Sequence, residues 1–77
     1  MNTEELKTFI FLSKVKNFTL AAEKMGIAQS TVTNRIGELE KEVGKRLFSR
    51  GSKSVKLTEE GKIFLRYAER ILSLIHI

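Results

Sequence analysis

A mostly α-helical domain carrying a small two-stranded hairpin is the fold class this sequence predicts, and three observations predict it. Two stretches with helical spacing of apolar residues each stop at a glycine, Gly26 and Gly44. Between Leu47 and Leu57 that period gives way to a short alternation around "GSKS". A third amphipathic pattern then runs from Thr58 towards the end of the chain. With 77 residues there is room for one domain at most, and for a small core.

The first helix starts at Asn2 or Thr3, because Asn2 followed three residues later by Glu5 makes a capping-box pattern. Leu6, Phe9, Ile10 and Phe18 are the expected buried positions. Phe11, Leu12 and Val15 widen the stripe enough to meet a second surface, either the last helix or a partner subunit. "NFT" interrupts the pattern, and Thr19 is a candidate N-cap for a short helix from Leu20 to Met25. Its Ala21 and Ala22 allow close helix approach, Gly26 supplies a left-handed stop, and Ile27 is expected to tuck back onto the core.

The next helix is the most periodic element. Val32, Ile36, Leu39 and Val43 form one narrow apolar stripe. At about 100° per residue, Ser30, Asn34, Gly37 and Lys41 fall on the opposite side, flanked by Thr33 and Glu38. Gln29, Ser30, Thr31, Thr33 and Asn34 are mediocre helix formers, and a helix built for stability alone would use other residues there. They occupy the first turns, which is where a recognition helix of a helix-turn-helix touches base edges.

After Gly44, "RLFSRGSKSVKLT" reads as two short strands, about Leu47 to Arg50 and Val55 to Leu57. A basic hairpin directly after a helix-turn-helix is the layout of a winged helix. Thr58 caps the final helix, with Glu59 and Glu60 set well against its dipole. On that helix Ile63, Tyr67, Ile71 and Leu74 make one apolar stripe, and Phe64, Ala68, Leu72 and Ile75 a neighbouring one. Two stripes are more than so small a domain buries alone, so a homodimer through this helix is expected, with Ile63, Phe64, Tyr67 and Ile71 as its contact residues. The division is therefore 1–58 for the winged helix-turn-helix and 59–77 for the start of a linker, or dimerisation, helix. The closing "LSLIHI" is what one frame of a transposase mosaic-end adapter encodes, so 72–77 read either as translated adapter or as a natural helix end.

Charge points to the partner. Residues 1–43 hold six Lys or Arg and six Glu, whereas 44–77 hold eight and three, so the second half carries the whole net charge of +5. Lys45, Arg46, Arg50, Lys53 and Lys56 form a run with no acid among them, which suits a polyanion. The absence of cysteine removes disulfides and thiolate metal sites, and the single histidine, His76, leaves no basis for a histidine metal site or a catalytic triad. No metal, cofactor or catalytic residue is expected, nor a membrane span, and the N-terminus lacks a signal-peptide layout, so a cytoplasmic location is the default.

The stretch "FTLAAEKMGIAQSTVTNRIGELEKEVGKRLFSR", followed by "VKLTEEGKIFLRYAERIL", resembles the N-terminal DNA-binding region of LysR-type transcriptional regulators. The resemblance runs from about Leu6 to Leu72, and its landmarks are the Ala-Ala helix before Gly26, the Gln29-Ser30 opening, "LE.E.G", "LF.R" and "LT..G". It implies a sequence-specific regulator that binds double-stranded DNA as a homodimer, with a tetramer and a small-molecule effector site reserved for a longer protein with a C-terminal domain. Carried over by position, Gln29, Ser30, Thr33 and Asn34 fall on major-groove positions, Thr19, Thr31 and Arg35 on phosphate positions, and Arg50, Ser52 and Lys53 in the wing. Ala28 stands where many members have a capping Ser or Thr, Lys53 where arginine is usual, and Asn34 where arginine or glutamine is common. A protein-binding winged helix, or a winged-helix repressor of another kind, are the alternatives. The first would need an apolar outward face on the helix that carries Ser30, Asn34 and Lys41.

Overall fold

Asn2 opens the first helix through both arms of a capping box. Its side-chain oxygen accepts the Glu5 N–H at 2.7 Å, and the Glu5 carboxylate accepts the Asn2 N–H at 3.2 Å. The computed structural model describes residues 1–50 and 55–75, the side chains of Arg50 and Ile75 excepted. Its elements are α1 (Thr3–Val15), α2 (Phe18–Met25), α3 (Gln29–Val43), β1 (Phe48–Arg50), β2 (Val55–Leu57) and α4 (Glu59–Ile75). β1 and β2 pair antiparallel, with Phe48 opposite Leu57 and Arg50 opposite Val55.

The turn between α2 and α3 is a Schellman motif. Gly26 is left-handed (φ 69°), its N–H donates to Glu23 O, and the Ile27 N–H donates to Ala22 O at 3.0 Å. Ile27 accordingly packs against the core. Gly44 ends α3 in the same left-handed region, with φ 78°.

The start of α2 differs from expectation. Asn17, not Thr19, is the N-cap: its side-chain oxygen accepts the Leu20 N–H at 2.9 Å, and the helix begins at Phe18. The physical reason is register. An N-cap serves the amide three positions on, and Asn17 lies at that distance from Leu20, leaving Thr19 inside the first turn with its hydroxyl free for another partner. β1 likewise begins at Phe48, one residue after the expected start.

The core forms where α1, α3, the hairpin and α4 meet. Phe9, Leu12, Val32, Ile36 and Leu39 are fully buried with Leu47, Phe48 and Ala68. Phe9 is the hub, its ring centroid 5.3 Å from those of both Phe48 and Phe64. Ile10, Phe18 and Val43, expected inside, are only half-buried, while Thr8 and Ser13 are buried instead. Both hydroxyls are satisfied by the helix itself, Thr8 on Glu4 O and Ser13 on Ile10 O. The second surface met by α1 is α4 of the same chain.

Two groups lock the hairpin between α3 and α4. The Glu40 carboxylate, buried on the inner side of α3, accepts the N–H groups of Leu47 (2.8 Å) and Phe48 (3.2 Å). Thr58 donates its hydroxyl to Arg46 O at 2.6 Å and accepts the Gly61 N–H at 2.9 Å, so one side chain caps α4 and pins the approach to β1.

Candidate nucleic-acid interface

Helix α3 turns Val32, Ile36 and Leu39 inward and leaves its other side free of the fold. Gln29, Ser30 and Asn34 are exposed there, and Thr31, Thr33 and Gly37 are half-buried beside them. Thr33, Asn34, Gly37, Glu38 and Lys41 line a shallow groove along this face. A Cβ built on Gly37 would meet nothing within 4 Å, so no contact within the chain calls for glycine at that position. The N-terminus of α3 has Ala28 as its N-cap and no side-chain hydrogen bond there, in keeping with the loss of a capping hydroxyl read in the sequence.

The residues assigned to phosphates divide. Thr31 is half-buried in the first turn of α3. Arg35 is anchored within the fold: it donates to Thr8 Oγ1 at 3.2 Å, lies 3.8 Å from the Glu4 carboxylate, and keeps a quarter of its side chain (25%) exposed. It therefore ties α3 to α1, an attachment the sequence reading missed. Thr19 is exposed, and its hydroxyl donates to Gln29 Oε1 at 3.1 Å.

Arg50 closes β1, while Ser52 and Lys53 lie outside the described residues. Glu42 pairs with the α-amine of Met1. That contact raises the amine above its ordinary value and, through its hydrogen bond, holds Glu42 below the usual carboxylate range.

Of the four residues expected at the dimer surface, Ile63, Tyr67 and Ile71 are exposed. Phe64 is not among them, because it packs its ring edge on Phe9 in the core. It lies on the second stripe, with Ala68 and Leu72, and that stripe is the one α4 turns towards α1. The buried Glu40 is a further residue absent from the expectations above. Its place four residues after Ile36, on the arc that faces the core, is the signal that could have found it.

The profile described as bacterial regulatory helix-turn-helix protein, lysR family, matches residues 3–62. The chain belongs to the LysR family. It is 50% identical over 70 residues to an HTH-type transcriptional regulator of Methanocaldococcus jannaschii, covering 91% of this chain and 24% of that protein. It is 42% identical over 73 residues to the regulator HdfR of Yersinia enterocolitica, covering 95% of this chain and 25% of that protein. The LysR-family domain described here thus spans about a quarter of the length of these relatives.

Among solved structures, the BenM DNA-binding domain in complex with benA site 1 DNA superposes with a TM-score of 0.92 at 39% identity, over 99% of this chain and 88% of that one. The CbnR DNA-binding domain in its DNA complex gives 0.94 at 33%, over 99% and 87%. The helix-turn-helix with its two-stranded wing is therefore the LysR-family arrangement. Among the described residues no helix is long and apolar enough to cross a membrane.

Proposed function

We infer that this chain is the DNA-reading part of a LysR-type transcription regulator, with α3 lying in the major groove and the wing securing the flanking backbone. One observation carries the reading. The fold is that of domains solved on DNA, and its recognition helix keeps a polar, shallowly grooved outer face that no other element of the described residues covers. Asn34 projects from that face and offers an amide and a carbonyl side by side, the pair that matches adenine N7 and N6. Gln29, Ser30 and Thr33 complete the reading surface.

Thr31 contacts phosphate in this reading. Arg50, Ser52 and Lys53 serve the wing and the adjacent minor groove, and the absence of acids from that segment supports them there. Arg35 acts first as the attachment of α3 to α1, with the remaining N–H groups of its guanidinium available to backbone oxygen. A dimer would place two α3 helices in successive major grooves of a partly palindromic site. Cytoplasmic action on the nucleoid fits this role. Tetramer formation and response to a small-molecule effector belong, in the same reading, to the remaining length of a full-size regulator.

The protein-binding alternative needs an apolar outer face on α3, and Ser30, Asn34 and Lys41 are exposed there instead. The deciding measurement compares Asn34→Ala on a selected site and on random duplex DNA. We expect a loss of about 1–3 kcal/mol on the selected site and little change on random DNA. An equal loss on both would remove Asn34 from base reading, and salt-insensitive binding with no retention of duplex would favour the protein-binding module.

A further inference from the structure

We infer that Thr19 is a positioning residue that sets which bases Gln29 selects, an inference that rests on the reading of Gln29 as a base contact. Thr19 lies in the first turn of α2 and Gln29 is the first residue of α3, so the two helices of the motif meet through their side chains at the surface that faces DNA. The Thr19 hydroxyl donates its proton to Gln29 Oε1 at 3.1 Å. A threonine hydroxyl has one proton. Spent on Gln29, it is not available to a phosphate oxygen, which can only accept. The phosphate role implied for Thr19 by family position and the hydrogen bond present here are therefore competing uses of the same group.

The bond has a chemical consequence for reading. A free glutamine turns its amide either way, and its oxygen and nitrogen together match adenine, the oxygen accepting from N6–H and the nitrogen donating to N7. With its oxygen turned to the Thr19 hydroxyl, as here, Gln29 presents its NH2 group as the forward, donor end. A donor-only group is matched by acceptors. Guanine offers two adjacent acceptors, O6 and N7, and thymine offers O4, whereas adenine offers N7 alone and sets beside it an N6 donor with no oxygen turned to receive it. Gln29 anchored by Thr19 thus selects guanine or thymine over adenine. Both side chains are exposed and Asn17 caps α2 on its own, so the pair can be altered without touching the fold.

The test is binding-site selection from a random duplex pool, run with this chain and with the variants Thr19→Val, Thr19→Ser and Gln29→Ala, each followed by titration of affinity against salt. We expect the wild type and Thr19→Ser to select guanine or thymine at one position where Gln29→Ala selects nothing. Thr19→Val should admit adenine there, bind its best site within about threefold of wild type, and keep the same salt dependence. A Thr19→Val protein that retains the wild-type preference overturns the inference and leaves the reading of Gln29 standing. So does one that loses affinity uniformly with a shallower salt slope, since that is the behaviour of a phosphate contact. If Gln29→Ala selects the same sequence as wild type, Gln29 reads no base, and the inference falls together with the assignment of Gln29.

Discussion

Two glycines of this chain look alike in the sequence and are opposite in the structure. A Cβ added to Gly61 would sit 2.1 Å from Leu47 O, in the backbone that leads into β1, and neither side of that contact is a flexible side chain. Gly61→Ala should therefore cost about 3 kcal/mol or leave the chain unfolded, which urea denaturation followed by far-ultraviolet circular dichroism would reveal. Gly37 has open space around it. Gly37→Ala should stabilise the fold by about 0.5–1 kcal/mol, because alanine is the better helix former and nothing obstructs it. The same substitution should weaken DNA binding if the groove beside Asn34 receives a base pair or the sugar-phosphate edge. A variant that is both more stable and equally tight would show that Gly37 has no part in the interface.

Among elements, the ones set by period and by local caps were legible and the ones set by tertiary partners were not. Val32, Ile36 and Leu39 announce the inner face of α3 through spacing alone, and the capping box at Asn2 needs only a neighbour three residues away. The start of α2 was misplaced because Asn17 and Thr19 are both good caps, and only the amide actually reached, that of Leu20, separates them. The burial of Glu40 could be read from its place on the core-facing arc of α3, but not its partners: the Leu47 and Phe48 amides come from a strand start whose position the sequence does not specify to one residue. On the outer face of α3, the exposure of Gln29, Ser30 and Asn34 followed from helical geometry, whereas the Thr19–Gln29 bond and the anchoring of Arg35 on Thr8 required knowing how the helices cross. Glu40 makes the sharpest prediction at this scale. Glu40→Ala leaves two backbone donors without their acceptor and should cost about 2–3 kcal/mol, while Glu40→Gln keeps an acceptor oxygen and should cost about 1 kcal/mol, both read from urea midpoints. Equal losses for the two would mean that the carboxylate's charge, not its hydrogen bonding, holds the hairpin.

For the whole molecule, the question is what α4 does with its unburied side. One stripe, with Phe64, Ala68 and Leu72, closes the core against α1. The other leaves Ile63 58%, Tyr67 57%, Ile71 37% and Leu74 74% exposed along successive turns of one helix. Scattered apolar residues on a surface need no explanation, but a continuous row on a helix edge does, since each such side chain gains about 1.5–3 kcal/mol on burial. A second copy of the same helix would cover it, and two-fold pairing would set the α3 helices of the two domains at a fixed separation on DNA. Because the row lies outside the core, Ile63→Gln with Tyr67→Gln should leave helix content and urea midpoint nearly unchanged. Sedimentation equilibrium should then report a shift from dimer to monomer, and affinity for a site with two half-sites should fall at least tenfold while affinity for a single half-site stays the same. A double variant that remains dimeric would move the dimer contact off this stripe. One that unfolds would instead mean that Ile63 and Tyr67 support the core, against the exposure they have here.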